Sequence, residues 1–199
     1  MQARSEETRM NILSVAQGLF AQKGYEATGI MDICDAAGVS KGAFYHHFPS
    51  KQAIFMALLE DWLAQLDVLM QAVMAAAPNV PEGLVEMAGL TSSVFEAADT
   101  QFPLFLEFWI QAGRQPEIWQ TVVAPYHRYQ ALFSSIFDKG IQEESLNQEI
   151  SSAAAARVII ALAMGLLLQA LFDPDGANWS QVTQEGVRML MDGLIRRQV

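Results

Sequence analysis

The fold is decided by residues 28–51, which read TGIMDICDAAGVSKGAFYHHFPSK. Apolar residues recur three and four apart through this stretch, and Gly38 divides it into two short segments of helical pattern. Thr28 is expected to cap the first segment, and Ser40 to cap the second, which ends before Pro49. Two short helices joined by a glycine turn predict a helix-turn-helix over about residues 30–49, with the second helix in the major groove of DNA.

The second helix has two faces of different chemistry. Phe44 and Phe48 lie four residues apart and are expected to point inward. Small, basic and aromatic residues are then left on the outside, namely Lys41, Gly42, Ala43, Tyr45 and His46. A further helix is predicted ahead of this pair, over about residues 5–23, and Gly24 ends it.

The rest of the chain is also predicted to be helical, because apolar residues recur at three and four almost throughout. The pattern predicts an all-α protein of about nine helices. An N-terminal three-helix domain over 1–51 is joined by a long helix to a larger helical domain over 52–199. The helices beyond the first three are expected at about 51–77, 82–98, 102–114, 116–140, 149–172 and 178–197.

Two features bear on the compartment. The longest strictly apolar run, Val158–Leu168, is shorter than the roughly 20 residues of a membrane span and is predicted to be a buried helix. The single cysteine, Cys34, excludes an internal disulfide, and the polar start lacks the apolar core of a signal peptide. A cytoplasmic protein is expected.

The charge is unevenly distributed along the chain. The net charge is −10, which opposes binding to phosphates. Residues 1–52 nevertheless hold five basic and five acidic residues, so the acidity belongs to the remainder. No Asp or Glu occurs from Ala36 to Leu59, and Lys41 and Lys51 fall inside that window. The predicted second helix is therefore locally positive.

The segment from Phe20 to Lys51 resembles the DNA-binding domain of the TetR family of bacterial transcriptional regulators. The positions at that family's signature spacing are Phe20, Gly24, Tyr25, Thr28, Asp32, Ile33, the run from Ala37 to Gly42, Tyr45, His47, Phe48 and Lys51. The resemblance implies a ligand-responsive regulator, in most cases a repressor, that binds a palindromic double-stranded DNA operator as a homodimer. It also implies that residues 52–199 bind a small-molecule effector and form the dimer.

The resemblance also assigns DNA contacts. Lys41 is expected to reach a phosphate or a guanine, and Gly42 and Ala43 keep the surface low enough for the backbone to approach base edges. Phosphate contacts are implied for Thr28, Ser40, Tyr45, His46 and Lys51. Gly29 departs from the family pattern, in which many relatives carry Thr or Ser, so one hydroxyl contact is missing there. Arg4 and Arg9 are candidates for an arm that reaches the DNA backbone or minor groove.

Aromatic and methionine side chains of the larger domain are candidates for a large, mostly apolar effector pocket, with plain core packing as the alternative. The candidates are Trp62, Met87, Phe95, Phe102, Phe105, Glu107, Phe108, Trp109, Phe133 and Met164. Glu107 would suit a cationic ligand if it faced the rings. The last two helices are candidates for the dimer interface through Val158, Leu162, Leu166, Ala170, Val187, Leu190, Met191 and Leu194.

Other functional classes lack their sequence signals. There is no phosphate loop, nucleophile elbow or metal-ligand spacing, and His127 is the only histidine outside the DNA-binding segment. Adjacent His46 and His47 point about 100° apart on a helix, so they do not share a metal. Neither enzymatic activity, a cofactor nor a metal is expected. The main competing interpretation is a helical ligand-binding or scaffold protein that has lost DNA binding.

Overall fold

The computed structural model describes residues 2–89, 106, 109, 110, 113 and 116–195, and every regular element in that part of the chain is an α-helix. The all-α prediction is confirmed. An isolated bridge pairs Leu146 with Ile195. Within residues 2–89 and 116–195 the helices are α1 (Gln2–Lys23), α2 (Ile30–Ala37), α3 (Lys41–His47), α4 (Lys51–Ala76), α5 (Val80–Gly89), α6 (Pro116–Gln142), α7 (Ser152–Phe172) and α8 (Trp179–Leu194). The helices predicted over 82–98 and 102–114 lie largely outside the described residues.

Two glycines end the first two helices as predicted. Gly24 has φ 83° and Gly38 has φ 66°, a left-handed conformation that glycine adopts without the steric penalty of a Cβ. At the end of α2, the Val39 amide donates to the Cys34 carbonyl at 3.0 Å. From α1, the Asn11 side-chain amide donates to the Ala37 carbonyl at 2.9 Å, so the end of α2 is tied to a neighbouring helix.

Buried apolar side chains hold the first helices together. Phe20 and Phe44 are 1% and 0% exposed, and the rings of Phe44 and Phe48 lie 6.4 Å apart. Burying one such ring contributes on the order of 2 kcal/mol. The other buried residues of this core are Ile12, Leu13, Ala16, Tyr25, Ile33, Cys34, Ile54, Phe55, Leu59 and Leu63. The apolar faces predicted for α1, α2 and α3 are the ones that pack.

The described residues form two compact units, one that runs to Leu66 and also includes residues 106, 109, 110, 113 and 116, and one that comprises residues 67–89 and 117–195. Helix α4 begins at Lys51, where the sequence pattern placed the domain boundary, and is continuous through Leu66. The division into 1–51 and 52–199 stays a prediction.

The second unit has its own core, which includes Leu84, Phe137, Leu146 and Met191, each at most 1% exposed. Gly140 of α6 is required by this packing, because a Cβ there would lie 2.5 Å from a Leu146 methyl carbon. The side chain of Asn79 accepts from the Glu82 amide at 3.0 Å and caps the start of α5.

Helix α7 is less buried than predicted. Val158 is 50% exposed and Phe172 is 75% exposed, so the expectation of a buried helix over Val158–Leu168 was wrong for a single chain. Among the described helices, α7 is the one that is long and apolar enough to cross a membrane by length and composition. Only 22% of its most apolar 18-residue stretch is buried, so much of the apolar surface of this helix is exposed.

Candidate nucleic-acid interface

Helix α3 presents the outward face that the sequence predicted. Ser40 caps the helix, and its hydroxyl oxygen accepts from the Ala43 amide at 3.1 Å. Phe44 and Phe48 are buried beneath it, which fixes the rotation of the helix. The exposed residues are Lys41, Gly42, Tyr45 and His46, and Ala43 is half-buried.

The exposed face combines hydrogen-bond donors with small residues that project little from the helix. Lys41 Nζ lies 5.9 Å from the centroid of the Tyr45 ring, a distance at which the ring attracts the cation. Nothing lies closer than 3.9 Å to a Cβ placed on Gly42, so this position is open toward the outside. The His46 ring is exposed and stands at 75° to the half-buried His47 ring. Phosphate and base edges can both be met by such a surface.

Thr28 does not occupy the place that the sequence pattern gave it. Its side chain is fully buried, and its hydroxyl donates to the Gly24 carbonyl at 2.8 Å. A second carbonyl, that of Leu19, lies 3.3 Å from the same oxygen. The N-cap of α2 is Gly29, so the predicted cap was wrong by one residue. The Thr28 hydroxyl stabilises the end of α1 and has no surface with which to meet a phosphate.

The amide of Gly29 is also engaged. It donates to the Asp32 carboxylate at 2.9 Å, the backward half of a capping box. The Gly29 amide is therefore not free to meet a phosphate in place of the missing hydroxyl. Asp32 additionally places its negative charge in the first turn of α2, where the helix dipole favours it.

Lys51 is directed into the protein rather than toward a ligand. Its ammonium donates to the carbonyls of Tyr25, Thr28 and Glu26 at 2.7, 3.1 and 3.3 Å. The same nitrogen lies 4.3 Å from the centroid of the Tyr25 ring. The phosphate contact that the family resemblance implied for Lys51 does not fit this geometry.

The two arginines of α1 differ in their surroundings. Arg9 pairs with Glu6 at 3.5 Å and its guanidinium carbon lies 5.4 Å from the centroid of the Phe48 ring. Arg4 is exposed, and its carbonyl accepts from the Thr8 hydroxyl at 2.9 Å. Arg4 is thus the better placed of the two for an arm that reaches DNA.

Cys34 lies on the inner face of α2 and is 2% exposed. Burial, with a smaller contribution from the charge of Asp35, raises the pKa of its thiol. The thiolate, which is the reactive form, is therefore disfavoured. This supports a packing role for Cys34 over a redox role.

The proposed effector residues are only partly visible. Phe95, Phe102, Phe105, Glu107 and Phe108 lie outside the described residues. Met87 and Phe133 are partly buried and pack against the core of the second unit, as the core-packing alternative expects. Trp62, Trp109 and Met164 are also half-buried.

The proposed dimer residues divide into two groups. Leu166, Val187 and Met191 are buried within the chain, at 7%, 5% and 1% exposure, so they were wrongly assigned to an outer surface. Leu162, Ala170, Leu190 and Leu194 are half-buried. Val158 alone of the predicted set is strongly exposed. Met189 of α8, which is not among the predicted residues, is 70% exposed.

The second unit also contains a polar cluster that was not predicted from the sequence. The Tyr129 hydroxyl of α6 donates to Asp67 of α4 at 2.7 Å, and Arg128 pairs with the other oxygen of Asp67 at 3.1 Å. Burial and the hydrogen bond to Asp67 raise the pKa of Tyr129 to about 12. Residues 126–129 form a run of aromatic and basic side chains that is visible in the sequence. Asp67, however, lies 62 positions from Tyr129, so no local sequence pattern predicts the contact between the two.

Two family models match the chain. Residues 12–58 match the bacterial regulatory proteins of the TetR family, and residues 95–196 match the C-terminal domain of BetI-type transcriptional repressors. The first range contains the helix-turn-helix and the exposed face of α3. Together the two ranges cover most of the chain.

Individual relatives and solved structures agree with these matches. The transcriptional regulator YfiR of Bacillus subtilis is 26% identical over 186 residues, 90% of this chain and 88% of the relative. The transcriptional repressor KstR2 of Mycolicibacterium smegmatis is 27% identical over 153 residues, 76% of this chain and 73% of the relative.

Two solved structures show the same fold. A TetR-family regulator from Syntrophomonas wolfei superposes with a TM-score of 0.80 at 23% identity, covering 97% of this chain and 99% of that one. A regulator from Saccharomonospora viridis in complex with choline has a TM-score of 0.76 at 22% identity, covering 96% of this chain and 100% of that one.

Proposed function

Because the chain belongs to the TetR family of bacterial regulatory proteins, we propose that it represses transcription by binding a palindromic operator as a homodimer. A sizeable, largely apolar effector releases the operator. The observation that carries this proposal is the exposed face of α3, where small and donor side chains stand over two buried phenylalanines. The cytoplasm, where the DNA is, is the proposed compartment, and regulation rather than turnover is the proposed activity.

Base contacts are assigned to the first turn of α3. Lys41 is long enough to reach a guanine edge or a phosphate, and the Ala43 methyl suits the methyl group of thymine. Phosphate contacts are assigned to Ser40, Tyr45 and His46, whose side chains lie at the start and on the exposed face of the helix. Thr28 and Lys51 leave the set, because the structure directs both side chains into the protein.

The dimer interface is assigned to a stripe on α7. Ala154, Val158, Ala161, Gly165 and Phe172 recur at helical spacing, and each is exposed or, for Gly165, open beyond the position of a Cβ. Small residues in the middle of the stripe allow a second helix to approach closely. With Met189 of α8, this surface suits the self-complementary contact of a two-fold dimer.

We assign the effector to the larger helical part of the chain, and the match of residues 95–196 to the C-terminal domain of BetI-type repressors supports this assignment. Two chemical classes of effector can be distinguished by whether they release the operator. A long-chain fatty acid probes an apolar pocket, and choline, with which the Saccharomonospora viridis regulator was crystallised, probes a cationic one. Release of operator by the fatty acid alone supports the apolar assignment. Release by choline alone moves the assignment to a cationic effector.

The proposal is tested by selecting duplexes from a random-sequence library with the purified full-length protein. Binding of the selected duplex is then measured by fluorescence anisotropy over a range of salt concentrations. We expect a palindromic duplex whose affinity falls steeply with salt. Lys41→Ala is expected to reduce affinity about tenfold or more. Lys23→Ala, at an exposed position outside α3, is the matched control and should change affinity little.

The competing function predicts a different outcome. A helical ligand-binding or scaffold protein that has lost DNA binding would select no duplex, and Lys41→Ala and Tyr45→Ala would then change nothing. The near-neutral charge of residues 1–52 and the glycine at position 29 are the observations that favour this alternative.

A further inference from the structure

We propose that Lys51 is a positioning residue for operator binding, which clamps the loop before α2 onto the first turn of α4 and makes no contact with DNA. The proposal rests on the proposed function for its DNA-binding consequence. The clamp itself is a property of the protein without DNA.

The geometry leaves the ammonium of Lys51 no free donor. A lysine ammonium has three N–H groups, and Lys51 Nζ has three carbonyl acceptors within 3.3 Å, those of Tyr25, Glu26 and Thr28. Contact with a phosphate would require at least one of these hydrogen bonds to break. Such a contact would therefore give up a hydrogen bond from a charged donor that the free protein already makes.

The acceptors all lie in the link between α1 and α2. Tyr25 is 5% exposed, and its ring packs 5.3 Å from Phe20 of α1 and 5.8 Å from Phe55 of α4, measured between ring centroids. Lys51 lies one helical turn before Phe55 and approaches the same ring with its charge. The first turn of α4 therefore holds the loop through an apolar contact and a charged one together.

The loop in turn sets where α2 begins. Thr28 contributes its carbonyl to the clamp and its buried hydroxyl to the end of α1, and Gly29 directly follows as the cap of α2. A change at Lys51 is therefore transmitted to the start of α2. Since α2 packs against α3, the placement of the DNA-contacting face depends on it.

The first experiment uses the wild-type protein, so folding of a variant is not at issue. The chain has four lysines, Lys23, Lys41, Lys51 and Lys139. Acetylation by an N-hydroxysuccinimide ester is followed at each site by mass spectrometry, with and without the selected duplex. In the free protein, Lys51 is expected to react about tenfold more slowly than the other three, which are exposed. The duplex should protect Lys41 and leave the rate at Lys51 unchanged.

A rate at Lys51 equal to that of Lys23 in the free protein, with protection by the duplex, would overturn the proposal in favour of a phosphate contact. If wild-type protein selects no duplex, the proposed function fails and the positioning role falls with it. The rates in the free protein still decide whether the clamp exists.

The second experiment compares Lys51→Met with the matched variant Lys41→Met. We expect both to lose about tenfold in operator affinity. Only Lys41→Met should lower the slope of log affinity against log salt, by about two for the two copies in a dimer. Only Lys51→Met should speed hydrogen exchange at the amides of residues 25–29. Lys51→Arg keeps the positive charge and several hydrogen-bond donors. Relative to Lys51→Met, it should therefore restore operator affinity and slow hydrogen exchange at residues 25–29.

Two results of this comparison contradict the positioning role. A salt slope that falls equally in both variants assigns Lys51 to a phosphate. Faster exchange in Lys51→Met with unchanged operator affinity makes the clamp a structural contact alone.

Discussion

The burial of Tyr129 and its hydrogen bond to Asp67 together predict a loss of stability at alkaline pH. The hydroxyl and the carboxylate are 2.7 Å apart, and the pKa of Tyr129 is raised to about 12 from an ordinary value of 10.0. In the unfolded chain the phenol titrates near its ordinary value. Between about pH 10 and pH 12 the unfolded state is therefore deprotonated while the folded state keeps its proton. Stability falls with rising pH across that window.

The magnitude follows from the size of the pKa difference. Two pKa units correspond to about 2.7 kcal/mol, but Tyr129 is half-buried, and solvent reduces this to about 1 kcal/mol. Below about pH 10 the wild-type protein should exceed Tyr129→Phe in unfolding free energy by this amount. The difference should shrink between about pH 10 and pH 12, because only the unfolded phenol is then deprotonated, and it should change no further once the folded phenol has lost its proton as well.

Urea denaturation followed by circular dichroism measures this difference at a fixed protein concentration, since a dimer gains stability with concentration. Tyr126→Phe, one turn earlier on α6, controls for the loss of a tyrosine hydroxyl from the same helix. Asp67→Asn tests the partner, and in that background Tyr129→Phe should cost much less. A wild-type advantage over Tyr129→Phe that stays constant from pH 8 to pH 12 would refute the reasoning.

Three further predictions concern the backbone, the helix caps and the apolar stripe of α7. Gly38→Ala should lower the unfolding free energy by about 1–2 kcal/mol because Gly38 has a left-handed φ. Gly18→Ala, in the interior of α1, should raise the unfolding free energy by about 0.5–1 kcal/mol. Equal urea midpoints for the two variants would contradict this prediction. Ser40→Ala and Ser151→Ala each remove a helix cap and should each lower the unfolding free energy by about 1 kcal/mol. Only Ser40→Ala should also weaken operator binding. Equal operator affinity for the two variants would exclude Ser40 from the DNA contacts. Val158→Glu should convert a dimer to a monomer in sedimentation velocity, and Gln71→Glu, at an exposed position of α4, should not; a dimeric Val158→Glu would exclude the stripe as the interface.

The helix-turn-helix could be predicted because its signals are local. The left-handed turn at Gly38, the cap at Ser40 and the inward pair of Phe44 and Phe48 each follow from spacing within a few residues. Each of these features has the same energetic cause in any chain that folds this way. The outward face of α3 then follows from the inward one.

The side chains of Thr28 and Lys51 could not be placed in this way. Both find their partners among backbone carbonyls, which every residue carries, so the identity of the surrounding residues contains no signal. The Thr28 hydroxyl donates to a carbonyl at the end of the preceding helix and does not accept from an amide at the start of the following one. A threonine at a helix boundary can do either.

The outer surface of the second unit was predictable only in part, because an apolar stripe does not specify what it packs against. Val187 and Met191 face the core of their own chain, whereas Val158 and Met189 face outward, and all four are apolar. The contact between Asp67 and Tyr129 depends on how α4 and α6 pack. That packing joins residues far apart in sequence.

The exposed stripe of α7 implies that the activity of this regulator depends on its concentration in the cell. In the proposed dimer, a newly made chain carries an apolar helix surface that association covers, and association depends on concentration. At low copy number a larger share of the chains stays single, with that helix open to chaperones and proteases. Synthesis and degradation then set a threshold below which the operator is free without any effector.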